Sequence, residues 1–251
     1  MKVVAFIPAR MGSTRFPGKP LAPLLGKPMI EHVYKRTAMA KRVESVYIAT
    51  CDEEIKQAAE TFGATVVMTS DLHQRASDRI AEAVEKVARD ADVIVMVQGD
   101  EPMISPEMVD ESAAPFVDHP ELACTNLLGV IRTEAEFSDH NTIKVIRGRD
   151  DNALYFSREP IPTPTILGFA GLTAYKQVCI ISFSRSGLQG FGELVPTSLE
   201  QAESIDMMRF LEHGVPVRLV PTPHYTHAVD TPDDLRVVEG LLRDDPLTKL
   251  Y

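Results

Sequence analysis

Residues 3–7 form an unbroken apolar run, VVAFI, that ends at Pro8 and passes directly into a loop carrying glycine and positive charge. A short run with no polar face belongs to a strand buried on both sides. Such a strand needs helices above and below it, which confines the chain to α/β architectures. The next segments agree. Helical spacing over 29–40 puts Ile30, Val33, Tyr34 and Thr37 on one face. Strands are expected at 45–49, 65–68 and 93–97. Helices are expected at 53–62, capped by Asp52 and closed by Gly63, and at 77–89, with Ile80, Ala83, Val84 and Val87 inward. This alternation implies a parallel sheet covered on both faces through about residue 117.

Beyond that point the pattern changes. Strands are expected at 122–130, 142–146, 153–156 and 172–183, without long helices between them. Asp150-Asp151-Asn152 marks a hairpin turn, and Pro160, Pro162 and Pro164 mark a loop over 159–168. A helix over 199–213 ended by Gly214, a strand at 217–220 and a helix over 232–242 return the chain to the core. The expected organisation is one domain over 1–251 with a mixed, β-rich insertion at roughly 120–195.

Composition enters as an exclusion. The net charge of -10 is opposite to the basic surplus of a nucleic-acid binder. Yet Arg10, Arg15, Lys19 and Lys27 fall in one early stretch without an acid. A local cationic patch on an acidic chain suits a small polyanion. Cys51, Cys124 and Cys179 form no Cys-x-x-Cys pair, which fits reduced thiols rather than structural zinc. The N-terminus lacks a signal-peptide pattern, and no run approaches the roughly 20 apolar residues of a membrane span. A cytoplasmic protein with neither nucleic-acid nor membrane partners is expected.

Ligands of open α/β sheets bind at the carboxyl ends of the strands. Residues 8–20, PARMGSTRFPGKP, occupy that position after the first strand. Gly12 and Gly18 let backbone N–H groups approach an anion, Arg10, Arg15 and Lys19 supply charge, and Ser13 and Thr14 supply hydroxyl donors. The set suits a triphosphate. It is not G-x-x-x-x-G-K-[ST], because Pro20 follows Lys19, and it is not G-x-G-x-x-G. The strand at 93–97 delivers Gln98-Gly99-Asp100 to the same edge, where a carboxylate beside a triphosphate fits a Mg²⁺ ligand. Asp230, ahead of Thr231-Pro232, reads from spacing alone as part of a helix cap. With no nucleophile elbow and no Cys/His pairing, these residues point to phosphoryl transfer governed by positioning and charge neutralisation.

The segments IPARMGSTRFPGKPLAPLLGKPMI, VVMTSDLHQ, VQGDEPMI, ALYFSREPIP and VDTPDDL follow one another across nearly the whole chain. Together they resemble the 3-deoxy-manno-octulosonate cytidylyltransferase family. The resemblance implies a nucleotide-diphospho-sugar transferase-like, Rossmann-like mixed α/β sheet, with a smaller inserted segment through which homodimers form. It implies CTP contacts from Pro8, Ala9, Arg10, Ser13, Arg15, Lys19, Gln74 and Asp100, with Pro8 and Ala9 at the cytosine. Arg10, Lys19 and Asp100 would carry catalysis, and Asp100 and Asp230 would hold the cofactor Mg²⁺. Gln98, Tyr175, Glu203 and Asp206 would contact the sugar acid. Its anomeric hydroxyl would attack the α-phosphate in line and release pyrophosphate, a step of lipopolysaccharide biosynthesis.

The departures from the family pattern lie on the sugar side. The pattern H-x-G-x-Y-x-Y-R falls on residues 169–176, with Phe169 for the histidine and Thr173 for the first tyrosine. Asp206 and Met207 stand where the pattern has Glu and Gln, and Arg75-Ala76-Ser77-Asp78-Arg79 where it has S-G-T-E-R. The expected acceptor is therefore 3-deoxy-manno-octulosonate or a related sugar acid, since a site that has lost hydrogen-bonding partners loses discrimination. Two alternatives stand beside it. One is nucleotidyl transfer to a sugar phosphate or polyol phosphate, served by Arg75, Arg79 and Lys176. The other is a non-catalytic nucleotide-binding homologue, against which the paired Asp100 and Asp230 argue.

Overall fold

The computed structural model describes residues 1–12 and 16–251. The first half runs β1 (Val3–Ala9), β2 (Pro23–Leu24), β3 (Lys27–Pro28), α1 (Met29–Ala38), β4 (Val43–Thr50), α2 (Glu53–Thr61), β5 (Thr65–Met68), α3 (Ala76–Val87), β6 (Val93–Val97) and α4 (Pro106–Ala113). The second half runs β7 (Cys124–Val130), α5 (Glu134–Ser138), β8 (Lys144–Arg147), β9 (Ala153–Ser157), β10 (Tyr175–Ser184), α6 (Arg185–Glu193), α7 (Ser198–Glu203), α8 (Met207–Glu212), β11 (Arg218–Pro221) and α9 (Pro232–Asp244).

Among the described residues the main sheet is ordered β11-β7-β10-β6-β1-β4-β5, with the β8–β9 hairpin branching from β10, and β2 and β3 form a separate two-stranded sheet. β1 pairs in parallel with β4 and β6, β4 with β5, and β7 with β11. Only β10 runs against its two neighbours in that row, β6 and β7. The loops after β1, β6, β7 and β11 therefore leave the sheet at one edge, and the start of β10 joins them there. β1 shows why the sheet is buried on both sides. Val4 and Phe6 enter the cluster under α3, α6 and α8, while Val3, Ala5 and Ile7 enter the one under α1, α2 and α4. Pro8 is tolerated inside β1 because β6 pairs only as far as Phe6, so no ladder bond is lost on that side.

Several expectations need correction. Val87 is 44% exposed rather than inward, because Val84 and Ala88, one turn apart, take the core positions. The expected helix over 199–213 is two helices, broken where Ser204 takes φ 55°, a left-handed conformation rare for a residue with a Cβ. Short helices absent from the sequence reading occupy α4, α5 and α6. Three glycines obscure α6, and one has a packing reason: a Cβ on Gly187 would stand 2.0 Å from the Ala123 carbonyl oxygen. The hairpin turn is as expected, with Asp151 at φ 63°.

The C-terminal residues close back onto α1. Arg36, fully buried, donates to Asp245 Oδ2 at 2.7 Å, to Thr248 Oγ1 at 3.0 Å and to the Tyr251 hydroxyl at 2.9 Å. His32 lies between the Leu24 carbonyl, at 2.7 Å, and that same hydroxyl, at 2.8 Å. Burial lowers its pKa. The neutral ring then donates from Nε2 to Leu24 and accepts from Tyr251 at Nδ1. This relay supports the β2–β3 turn from behind.

Candidate active site

Residues on either side of 13–15 are tied to each other and to α2. Gly18, at φ 72°, donates its N–H to the Met11 carbonyl at 3.1 Å. Met11 in turn donates its N–H to Asp52 Oδ2 at 2.8 Å. Asp52 does stand at the N-cap of α2, but its carboxylate makes no capping bond there and braces the loop instead. Substituting Asp52 by Ala removes a charge-assisted bond of about 1.5 kcal/mol, so the KM for the CTP expected from the resemblance should rise about tenfold with kcat nearly unchanged. Steady-state kinetics check this, and an unaltered KM would remove the bracing role.

The exit of β6 is brought against the exit of β1 by Gly99, where a Cβ would meet the Pro8 carbonyl oxygen at 3.0 Å. The adjacent backbone then pairs with the segment leading to α9, with Val229 N–H donating to the Asp100 carbonyl at 2.9 Å. Asp100 and Asp230 are thereby neighbours. The capping reading of this segment belongs to Thr231 and Asp234, which bond each other's backbone N–H groups at 3.2 and 2.8 Å. The Asp230 carboxylate lies near the Lys19 ammonium instead.

Lys19 occupies the space between the two acids. Its ammonium donates to Asp100 Oδ2 and to the Val229 carbonyl, each at 2.8 Å, and lies 3.5 Å from Asp230 Oδ1. The lysine is 8% exposed, so these charges interact through a medium less screening than water. Two carboxylates that converge on one cation form an all-oxygen donor set. Such a set fits Mg²⁺, which takes one or two carboxylates and completes its shell with water and substrate phosphate.

Two cavities open on this centre. The first, of about 330 Å³, is lined by Pro8, Ala9, Arg10, Lys19, Gln74 and Asp100 among others. These are the CTP contacts implied by the sequence, apart from Ser13 and Arg15, which lie outside the described residues. The second, of about 680 Å³, is lined by Gln98, Asp100, Asp206 and Asp230 and by three cations, Arg132, Arg158 and Lys176. Gln98, Asp100 and Ser204 belong to both walls.

Not every expected sugar contact reaches the second cavity. Tyr175 packs toward the core under α3, α6 and α8, while strand alternation turns Lys176 to the cavity. Glu203 is engaged at the end of β9, where it accepts from Ser157 Oγ and from the Arg158 N–H, each at 2.9 Å. Neither Tyr175 nor Glu203 lines a cavity. Phe169 packs against Phe137 with tilted rings, centroids 5.5 Å apart, in a small apolar cluster with Ile131 and Ala174. Asp206 and Met207 do line the cavity. Asp206 accepts from Ser77 Oγ at 2.9 Å, and burial raises its pKa against the opposing Arg75.

Sequence reasoning missed Arg132 and Arg158, which follow β7 and β9 in the half without clear periodicity. No local signal marks them. It also missed the environment of Lys176, whose ammonium donates to Glu136 Oε1 at 2.6 Å. Lys176 and Arg132 lie 5.2 and 5.1 Å from the centre of the Tyr225 ring.

Glu101, behind the two acids, is buried and accepts from Thr226 Oγ1 at 2.7 Å. Burial, and then the Asp100 charge, push its pKa up to about 7. The folded chain therefore keeps a proton that the unfolded chain releases above its ordinary value of 4.5. That contribution to stability is full below the ordinary value and is lost as pH rises through about 7, a change of at most a few kcal/mol. Glu101→Gln should flatten the fall of Tm between about pH 5 and about pH 7. A slope equal to that of the unaltered chain would assign the pH dependence elsewhere.

Comparison with known proteins agrees with this geometry. Residues 4–218 match a family model described as cytidylyltransferase. A 3-deoxy-manno-octulosonate cytidylyltransferase of Geobacter metallireducens is 44% identical, over 97% of this chain and 99% of that protein. An 8-amino-3,8-dideoxy-manno-octulosonate cytidylyltransferase of Shewanella woodyi is 41% identical, over 98% of this chain and 100% of that one. The solved structure of a CMP:2-keto-3-deoxy-manno-octonic acid synthetase complexed with CTP superposes with a TM-score of 0.88 at 38% identity, covering 97% of this chain and 99% of that one.

Proposed function

We propose, for a chain that belongs to the cytidylyltransferase family, that it transfers CMP from CTP to the anomeric hydroxyl of an eight-carbon 3-deoxy-ulosonic acid. The observation that carries this reading is the shared wall. A cationic cavity and a larger cavity with three further cations meet at Gln98 and Asp100. A triphosphate in the first and a carboxylate-bearing acceptor in the second would bring the α-phosphorus and the acceptor oxygen to that wall.

In the reaction the anomeric oxygen forms a bond to the α-phosphorus while the bond from that phosphorus to the bridging oxygen of the β-phosphate breaks. The proton of the attacking anomeric hydroxyl is lost to solvent and pyrophosphate leaves. Arg10 and Lys19 neutralise the triphosphate, and Arg132, Arg158 and Lys176 hold the acceptor carboxylate. Gln98 orients the acceptor by hydrogen bonding. Asp100 and Asp230 would hold Mg²⁺, which when bound offsets charge on the phosphates. Tyr175 and Glu203 act from behind the wall, Glu203 by fixing Arg158. The described residues include no helix long and apolar enough to cross a membrane. Leu154 on β9, with Ile166 and Leu167 on the following loop, is well exposed, which supports pairing of two copies through this region in a cytoplasmic homodimer.

Relatives named for the 8-hydroxy and the 8-amino acid differ little in identity, 44% and 41%. The test therefore offers both. Pyrophosphate release is measured with CTP, Mg²⁺ and either 3-deoxy-manno-octulosonate or 8-amino-3,8-dideoxy-manno-octulosonate. Release with at least one is expected. Release with neither would end the reading, and release with a sugar phosphate in their place would install the alternative acceptor class.

A further inference from the structure

The break between α7 and α8 is the partition between the two cavities. Ser204 lines both, while Ile205, Asp206 and Met207 line only the larger one. Ser204 holds its left-handed backbone at φ 55° without being glycine. Such a conformation costs roughly 1–2 kcal/mol and persists only where its surroundings impose it. Two arginines impose it here, one from each side.

Arg75, in the wall of the nucleotide cavity, donates to Ser204 Oγ at 3.0 Å and to the Glu200 carbonyl at 3.2 Å, and its guanidinium lies 3.7 Å from Asp206 Oδ1. Arg158, in the wall of the larger cavity, donates to the Glu203 carbonyl at 2.7 Å and to the Ser204 carbonyl at 3.3 Å. The last carbonyls of α7 are thus bonded by cations that each face a ligand cavity. A guanidinium has five N–H donors, and the bonds of Arg75 leave donors for an anion entering its cavity.

We propose that Arg75 is a positioning residue that transmits nucleotide occupancy to the acceptor wall through the broken helix at Ser204. A bound triphosphate draws on the free donors of Arg75 and fixes the guanidinium. The fixed guanidinium holds Ser204 and Asp206, and the acceptor then meets a finished wall. Acceptor binding is strengthened by CTP in consequence, and by reciprocity CTP binding is strengthened by acceptor. The inference rests on the assignment of the two cavities to nucleotide and acceptor.

Arg75→Ala leaves the chain folded, because Glu200 keeps its two bonds from Arg209 and Asp206 keeps its bond from Ser77. Hydrogen exchange over residues 198–212 gives a readout that needs no acceptor. CTP with Mg²⁺ should slow exchange there in the unaltered chain and not in Arg75→Ala, with Arg75→Lys between them. Equal slowing in both, or none in either, overturns the proposal. With an acceptor that turns over, Arg75→Ala should raise the acceptor KM about tenfold at saturating CTP, and by the same reciprocity the CTP KM at saturating acceptor should rise with it. A rise confined to the CTP KM would make Arg75 an ordinary nucleotide contact and also overturns it. If neither ulosonic acid is turned over but the exchange result is as expected, the acceptor assignment fails and the coupling stands.

Discussion

Replacing Asp100 by asparagine is expected to lower kcat by about 10³-fold while CTP still binds within about tenfold of the unaltered affinity. The substitution keeps the shape and an oxygen for the Lys19 ammonium, now 2.8 Å away, and removes only the charge. On the proposed reading Lys19 and Arg10 would still receive the triphosphate, so binding should persist. What would be lost is one of the two acids proposed to hold Mg²⁺ at the wall that the two cavities share. Single-turnover pyrophosphate release gives the rate, and calorimetric titration with CTP and Mg²⁺ gives the affinity. An unchanged kcat would remove Asp100 from the chemistry. Abolished binding with an undiminished rate at saturation would make it a nucleotide contact alone.

The second large effect is on stability. Arg209 and Glu200 are 2% and 1% exposed and form a two-pronged pair at 2.8 and 2.7 Å. Arg209 also reaches Asp78 Oδ1 at 3.2 Å and lies 4.1 Å from the centre of the Phe191 ring. Arg209→Met leaves the Glu200 carboxylate buried with Arg75 alone, 3.4 Å away, as its cation. A loss of about 3–5 kcal/mol is expected, which for a chain of this size lowers Tm by roughly 10 °C. Replacing both partners, Glu200→Leu with Arg209→Met, should recover most of it, because the uncompensated charge and not the missing pair is the larger cost. Denaturant titration of the unaltered chain and the two variants decides between these outcomes. A single variant within about 1 kcal/mol of the unaltered chain would show that water reaches Glu200.

The sheet was legible where the chain uses strands buried on both faces. Residues 65–68 and 93–97 coincide with β5 and β6 because apolar and β-branched runs there have sharp polar ends. The helices of the second half were less legible, since their boundaries depend on distant contacts. The spacing over 199–213 is helical throughout, and nothing local announces that arginines flanking α3 and β9 hold a break at Ser204. The acids show the same limit. Asp52 and Asp230 both carry an N-cap signature, yet each gives its carboxylate to something other than the cap. Propensity names the residue type suited to a helix start; only the fold decides which acceptor a given carboxylate serves. The smaller cavity was readable because nearly all its residues lie in three short segments, 8–20, 73–79 and 98–100, whereas Arg132, Arg158 and Lys176 come together only through the reversal of β10.

The buried arginine of α1 bears on how the protein comes into being. Arg36 is made early, and its acid partner Asp245 is made 209 residues later. At roughly 5–20 residues per second, ribosomal synthesis separates the two by about 10–40 s. Throughout that interval the helix behind the phosphate loop has a cation with no counter-ion and a histidine with no tyrosine hydroxyl. The amino-terminal half is therefore not an independent nucleotide-binding unit during translation. The parallel strands emerge first, but α1 gains these partners only when residues 245–251 have left the ribosome.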